Sequence, residues 1–88
     1  MIVKISKTFD KDISRIKDQE LKQSVFDIIK LTQQVSDLRG IPQLKKLRGH
    51  KDFYRIRLGQ YRVGIVITKD TVEFLILDHR KDIYKRFP

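Results

Sequence analysis

Three arginines within a short stretch offer the clearest chemistry in this chain. Arg55 and Arg57 lie two residues apart, and Arg62 follows shortly after them. A guanidinium group is planar, stays charged at physiological pH, and donates paired hydrogen bonds that match a phosphate group. We therefore expect an anion, and phosphate above all, to bind where these side chains meet.

Two predicted strands joined by a tight turn position these arginines. Apolar and charged residues alternate over residues 53 to 58, which is the period of a half-buried strand, and a second alternating run covers residues 61 to 67. Gly59 and Gln60 between them suit a two-residue turn with glycine first. The resulting register puts three cross-strand pairs on the core face: Leu58 with Tyr61, Ile56 with Val63, and Tyr54 with Ile65.

The other face of this hairpin carries the arginines. Its register places Arg57 opposite Arg62, and like charges that face each other across a ladder are destabilising. Arg55 lies opposite Gly64. Because glycine has no side chain, we expect an open space there in which an anion can bind. Arginines on an exposed strand face also serve as protection against edge pairing. Both interpretations remain open on the residues alone.

The next predicted strand covers residues 72 to 77. If Ile67 pairs with Val72, Phe74 and Ile76 enter the core. Leu75 and Leu77 then lie on the arginine side, with Leu77 opposite Arg62.

Three further candidates for chemistry follow that strand. His79 and Arg80 are expected to emerge beside the open end of the arginine face, and a short turn would return Tyr84 toward it. A tyrosine in this place also suits a simple anchor of the chain on the sheet. The residues alone do not decide between these roles.

The segment from residue 36 to residue 49 predicts a loop between the helices and the sheet, because it contains Gly40, Pro42 and Gly49. Lys45, Lys46 and Arg48 lie in it. We expect these side chains either to be solvated or to contact backbone phosphates near the arginine face.

The composition limits the kinds of site that the chain can hold. Its 88 residues fit a single domain over residues 1 to 88. The absence of cysteine excludes disulfides and thiolate metal sites, and two histidines without ligand spacing predict no metal and no cofactor. No apolar run reaches membrane-spanning length and the first residues read as a strand, so we expect a cytoplasmic protein with no membrane partner.

The charge balance indicates a polyanionic partner. The formal net charge is +9. Residues 45 to 88 hold twelve Lys and Arg against five Asp and Glu, a net of +7, whereas residues 1 to 44 hold eight against six, a net of +2. Nucleic acid is the favoured partner of such a surface, and an acidic protein is the alternative.

The first half of the chain predicts a strand and two helices. Residues 2 to 5 read as a short strand, Ser6 or Thr8 suits the cap of a first helix, and Asp18 suits the cap of a second. Apolar residues recur on one face of each helix. The predicted fold is therefore α+β, with an N-terminal strand, a helical hairpin, a three-stranded antiparallel meander and a short C-terminal helix or tail.

The chain resembles the RelE/ParE superfamily of toxins from type II toxin-antitoxin pairs, and its RelE branch in particular. The resemblance lies in the linked pattern LRGHKDFYRIRLGQYRVGIVI and VEFLILDHRKDIYKRF. The resemblance covers the whole chain and implies the RelE-like fold. It also implies a ribosome-dependent endoribonuclease, acting on mRNA at the ribosome without a metal. In such enzymes the 2′-hydroxyl attacks the adjacent phosphate and the 5′-oxygen leaves, which arrests translation.

The resemblance assigns the catalytic roles. It places the catalytic set at Arg55, Arg57, Arg62, Arg80 and Tyr84. RNA binding is expected of Lys45, Lys46, Arg48, Lys51 and Lys81. The family's best-known enzyme has lysines where this chain has Arg55 and Arg57, and because arginine does not readily give up a proton, these side chains are expected to bind phosphate.

The resemblance leaves the general base open between two residues. Tyr84 is the leading candidate, since surrounding arginines would stabilise its phenolate form. His79 is the rival, because imidazole exchanges protons near neutral pH.

The implied partner is a small RelB-like antitoxin that covers the toxin. Two other functions stay in view: a ParE-like toxin that poisons DNA gyrase, and a relative that binds RNA or ribosomes without cutting. Cleavage of mRNA on programmed ribosomes is the observation that separates them.

Overall fold

The computed structural model describes all 88 residues, which form one five-stranded sheet and three α-helices. In chain order the elements are β1 (Ile2–Ile5), α1 (Lys7–Ser14), α2 (Gln19–Gln34), a 3-10 turn (Leu38–Gly40), β2 (Leu44–Lys46), β3 (Phe53–Leu58), β4 (Tyr61–Thr68), β5 (Thr71–His79) and α3 (Ile83–Arg86). The strand order is β1-β5-β4-β3-β2, with β1 parallel to β5 and the other neighbours antiparallel. The predicted α+β architecture is confirmed. None of the helices has the length and apolar content to cross a membrane.

Both predicted helix caps are present. The Ser6 hydroxyl accepts a hydrogen bond from the Phe9 amide at 3.0 Å, so Ser6 and not Thr8 begins α1. Asp18 accepts from the amides of Glu20 and Leu21 at the start of α2. These bonds satisfy amides that the helix itself leaves free. Both α1 and α2 turn their apolar faces to the same side of the sheet, which we call the helix side.

The register of the hairpin β3–β4 is confirmed in every pair. Leu58 faces Tyr61 across the turn, Arg57 faces Arg62, and Arg55 faces Gly64. A two-residue turn leaves no freedom to slide the strands, because a slip by one residue would exchange their two faces.

The predicted register of β5 is wrong beyond Phe74, because an extra residue interrupts the ladder. Ile65 pairs with Phe74 but Gly64 pairs with Ile76, so Leu75 forms a bulge. The alternation then reverses: Leu77 pairs with Val63 in the core, and Ile76 lies on the face away from the helices, the arginine side. Asp78, and not Leu77, stands opposite Arg62.

The segment predicted as a loop contains a strand. Leu44–Lys46 forms β2, which pairs antiparallel with β3 and completes the sheet at one edge. Three residues, two of them lysine, are too short to show an alternating pattern. Short, lysine-bearing strands are typical of protected sheet edges.

The sheet has an apolar cluster on each side. The main core lies on the helix side, where Phe9 and Phe74 meet edge to face with ring centroids 5.4 Å apart. The smaller cluster lies on the arginine side and is built around Ile76, Ile83 and Phe87. It holds residues 83 to 88, the C-terminal segment, against the sheet.

Candidate active site

The three strand arginines share the arginine side of the sheet, as predicted. Arg55 and Arg57 come from β3 and Arg62 from β4. Arg57 is exposed, while Arg55 and Arg62 are half-buried. Strand backbones fix where these side chains begin, so the cluster is built on rigid elements.

Arg62 is the centre of this charge. Burial of its side chain and the positive charges of Arg55, Arg57 and Arg80 lower the pKa of the Arg62 guanidinium, while Tyr84 acts in the opposite direction. Because such effects fall with distance, each of these four side chains lies close enough to Arg62 to act on its charge. The structure thus brings together all five residues of the predicted catalytic set. We call Arg55, Arg57, Arg62 and Arg80 the arginine cluster.

The arginine cluster has no carboxylate partner. The ion pairs of the chain involve only Arg39, Lys85 and Arg86. Arg62 instead donates hydrogen bonds to the backbone oxygens of Gly59 at 2.8 Å and Tyr61 at 3.0 Å. Positive charges without a carboxylate partner are the feature that anion binding requires.

Gln43 orients two members of the cluster and was not identified from the sequence. Its backbone oxygen accepts from Arg55 Nη1 at 3.2 Å, and its side-chain Oε1 accepts from Arg57 Nη2 at 2.8 Å. Gln43 adopts a positive φ of 60°. Neutral acceptors align the guanidinium groups without cancelling their charge. No sequence signal marks this role, because the segment showed no strand pattern.

Arg86 pairs with the carboxylate that lies opposite Arg62 in the register. Asp78 lies opposite Arg62 in the register, yet its carboxylate accepts from Arg86 Nη1 at 2.7 Å and from the His79 amide at 2.8 Å. Arg86 also donates to buried Asp12, at 3.1 Å. The hydrogen bond to Asp78 is the main reason why the pKa of Arg86 is raised. Arg86 was not a sequence candidate.

Tyr84 projects from α3, which two buried neighbours hold in place. Ile83 is fully buried and Phe87 nearly so, whereas Tyr84 is 58% exposed. Arg80 is anchored just before this helix by a hydrogen bond from its amide to the Gln60 oxygen at 2.8 Å. The phenol and the Arg80 guanidinium therefore approach Arg62 from the C-terminal side.

His79 lies on the other side of the sheet from the arginine cluster. It pairs with Tyr61, and the two rings meet edge to face at 5.5 Å. Tyr61 packs against the main core, so the predicted emergence of His79 beside the arginine face is wrong. The bulge at Leu75 is the cause, since it shifts every later residue of β5 to the opposite face.

The space beside Gly64 is filled by other side chains. A Cβ built there would lie 2.7 Å from Ile76 Cγ2 and 2.8 Å from the Phe87 ring. Phe87 stacks on Phe53 with ring centroids 5.4 Å apart and fills the space. The expectation of a ligand at Gly64 is therefore wrong: the glycine makes room for the C-terminal segment, which lies against the cluster.

The peripheral basic residues divide between the two faces. Lys45 pairs with Arg55 and belongs to the arginine side, whereas Lys46 pairs with Tyr54 and belongs to the helix side. Arg48 lines a cavity with Tyr84. Lys51 and Lys81 are exposed in turns.

Comparison with known proteins agrees with this geometry. The family model for the ParE toxin of type II toxin-antitoxin systems matches residues 3–84. The chain is 37% identical over 89 residues to Toxin RelE3 of Methanocaldococcus jannaschii, covering all of both chains. The crystal structure of a RelB-RelE antitoxin-toxin complex from Methanococcus jannaschii matches with a TM-score of 0.81 and 36% identity, over 97% of this chain and 99% of that chain. The RelBE2 toxin-antitoxin complex from Mycobacterium tuberculosis shares the fold, with a TM-score of 0.71 at 24% identity over 90% and 96% of the chains.

Proposed function

This chain belongs to the RelE/ParE superfamily, as a RelE-like toxin of a type II toxin-antitoxin system, and from this premise we propose that it is a ribosome-dependent endoribonuclease that cuts mRNA. The observation that carries the proposal is the uncompensated arginine cluster with Tyr84 beside it. A toxin that acts on translating ribosomes works in the cytoplasm.

The chemistry requires charge stabilisation more than any other effect. The 2′-hydroxyl of one nucleotide attacks the adjacent phosphorus, its proton passes to a base, and the bond to the 5′-oxygen breaks as that oxygen takes up a proton from water. The products are a cyclic phosphate end and a free 5′-hydroxyl. Negative charge grows on the phosphoryl oxygens, which preorganised cations stabilise best. Arg55, Arg57 and Arg62 supply those cations in this proposal.

Tyr84 is the base that the geometry favours. Its phenol lies next to Arg62 and is well exposed, so a substrate hydroxyl can reach it. His79 packs against Tyr61 on the far side of the sheet. Arg80 stands on the same side as Tyr84 in this scheme and stabilises the leaving oxygen. Fixed arginines take the electrostatic role that a metal ion plays in other nucleases, so the mechanism uses no cofactor.

The partner in this proposal is a RelB-like antitoxin. Two solved relatives are toxin-antitoxin complexes. The net charge of +9 also suits a partner with an acidic segment. Co-expression with the product of the adjacent small open reading frame is expected to restore growth and yield a co-purifying complex. Growth arrest that persists during co-expression would contradict the pairing.

The second candidate function is poisoning of DNA gyrase, which the match to the ParE model favours. The arginine cluster with Tyr84 favours RNA cleavage instead. Purified protein is therefore tested in parallel on programmed ribosomes and on gyrase with supercoiled DNA. Cut mRNA supports the proposal; trapped gyrase, or arrested translation with intact mRNA, overturns it.

A matched pair of variants tests whether the cluster is responsible. Arg62→Gln removes the central charge and is expected to reduce single-turnover cleavage by about 10²- to 10³-fold, the usual effect of one stabilising donor. Arg39→Gln makes the same change at an exposed arginine paired with Asp37. The Arg39 variant is expected to cut at the normal rate.

A further inference from the structure

A second concave surface adjoins the arginine cluster. Its volume is about 390 Å³, within the range of roughly 300–1,000 Å³ that is typical of small-molecule sites. The β2–β3 loop and the C-terminal segment line it with Leu47, Arg48, His50, Tyr84, Phe87 and Pro88. Three of these side chains are aromatic, one is a guanidinium and none is acidic. By contrast, the larger cavity beside the β3–β4 turn contains Asp18 and Glu20.

The ring of His50 is exposed and lies at one end of a row of aromatic rings. The Leu47 amide donates to the Phe53 oxygen at 2.8 Å, which closes the loop that carries His50. The His50 ring lies 6.2 Å from the Phe53 ring, and Phe53 in turn stacks on Phe87. A row of three rings therefore runs from the loop to the C-terminal segment. A flat ligand that stacks on the exposed ring of His50 would extend this row.

This cavity adjoins the proposed cleavage site. Phe87 sits over Gly64, which pairs with Arg55 and lies two residues from Arg62 on the same face. Tyr84 belongs to both places, because it lines the cavity and adjoins the arginine cluster. An RNA strand whose phosphate binds the cluster can therefore place a neighbouring base at the cavity.

We propose that this cavity is a nucleobase subsite, in which a base beside the scissile phosphate stacks on His50 while Arg48 holds the adjoining backbone. The inference rests on the proposed function, because the base belongs to the strand that is cut. Stacking on aromatic rings is tolerant of sequence. The His50 nitrogens, however, offer a donor and an acceptor to a base edge. His50 is therefore a specificity-determining residue.

The direct test uses the isolated protein and nucleoside monophosphates. NMR titration with AMP, CMP, GMP and UMP is compared with titration by ribose 5-phosphate, which has the phosphate and no base. We expect at least one nucleotide to bind about tenfold more tightly than ribose 5-phosphate, as one stacked base provides, and to shift the His50 and Phe87 resonances. Equal affinities, with shifts confined to the arginine cluster, would show phosphate binding alone and overturn the subsite.

Variants identify the stacking ring. His50→Ala is expected to abolish the preference for nucleotides over ribose 5-phosphate, and His50→Phe is expected to retain it, because the ring remains. Phe26→Ala is the matched control, since Phe26 is a half-exposed aromatic residue on α2. If His50→Ala binds nucleotides as the parent does, the assignment is wrong.

Cleavage on programmed ribosomes separates this inference from the proposed function. In an active enzyme, His50→Ala and His50→Phe are both expected to flatten the distribution of cuts over codons, because each removes the ring nitrogens that contact a base edge. If His50→Ala cuts with an unchanged distribution over codons, the proposed nuclease activity is supported and the proposed subsite is wrong. Absence of cleavage in the parent protein would remove the nuclease, and the titration would still decide whether the cavity binds a base.

Discussion

Replacing Gly64 with alanine is the sharpest test of how the C-terminal segment is seated. The added methyl group would lie 2.7 Å from Ile76 Cγ2 and 2.8 Å from two atoms of the Phe87 ring. Such distances are below van der Waals contact, so either neighbour must move. Ile76 is fixed in a central strand, whereas Phe87 lies just beyond a helix of four residues. We therefore expect Phe87 to be displaced.

The expected loss of stability follows from the packing. Overfilling a closely packed site by one methyl group typically lowers the free energy of unfolding by about 1–3 kcal/mol. Full expulsion of Phe87, which is 4% exposed, would forfeit the burial of one large apolar side chain, about 1.5–3 kcal/mol. Overfilling of the site and expulsion of Phe87 therefore both predict a loss of about 2 kcal/mol in the free energy of unfolding. Cleavage should fall further, because Tyr84 moves with the segment and a displacement of about 1 Å can slow a reaction 10²-fold.

A double-mutant cycle isolates the contact. Urea unfolding is measured for the parent, Gly64→Ala, Phe87→Ala and the double variant. If the methyl group acts through Phe87, its effect should shrink by at least about 1 kcal/mol when Phe87 is already alanine. An effect of equal size in both backgrounds would show that Gly64 does not hold the C-terminal segment, and would refute this account of its position.

Four further outcomes are expected. Converting Arg55, Arg57 and Arg62 together to glutamine should reduce the salt dependence of RNA binding. Three single-strand phosphate contacts supply a slope of about −2 in log affinity against log salt, at about −0.7 each. An unchanged slope would show that these arginines do not bind phosphate. Inorganic phosphate at ten times its dissociation constant should raise the free energy of unfolding by about 1.4 kcal/mol in the parent and less in that triple variant, as measured by urea unfolding at constant ionic strength. Tyr84→Phe should keep RNA affinity and slow single-turnover cleavage by about 10²- to 10⁴-fold; normal cleavage by Tyr84→Phe together with loss in His79→Ala would assign the base to His79. Arg86→Met should lower the free energy of unfolding by about 2 kcal/mol, less than for a fully buried pair because the Arg86 side chain is 37% exposed. The affinity for phosphate should also fall, because Asp78 loses its partner. Unchanged phosphate affinity would show that Asp78 does not reach the cluster.

The sequence predicted the hairpin well because local chemistry determines it. A two-residue turn fixes the β3–β4 register, and the alternation within each strand then fixes the faces. The cation set followed from that register. Nothing distant in the chain was needed to place Arg55, Arg57 and Arg62 together.

The register of β5 depends on contacts that sequence pattern does not reveal. Leu75, Ile76 and Leu77 are all apolar, so alternation gives no sign of which one faces the helices. The outcome depends on what each face offers: Phe74 meets Phe9 on the helix side, and Ile76 meets Ile83 and Phe87 on the arginine side. A bulge at Leu75 satisfies both clusters.

The residues missed at the site are those that act on other side chains. Gln43 aligns Arg55 and Arg57 from a segment without regular pattern. Phe87 fills the space over Gly64 from far along the chain. Such roles arise only when distant segments meet, so residue type and spacing carry no trace of them.

Arg86 shows why net charge alone does not make an anion site. The sheet places Asp78 directly opposite Arg62, and a carboxylate in that place would neutralise the central charge. Arg86 draws Asp78 away through a hydrogen bond of 2.7 Å and is itself held by buried Asp12. A positive residue outside the cluster thereby preserves the positive charge within it. The positive charge at Arg62 is preserved because the carboxylate opposite it in the register is paired with Arg86.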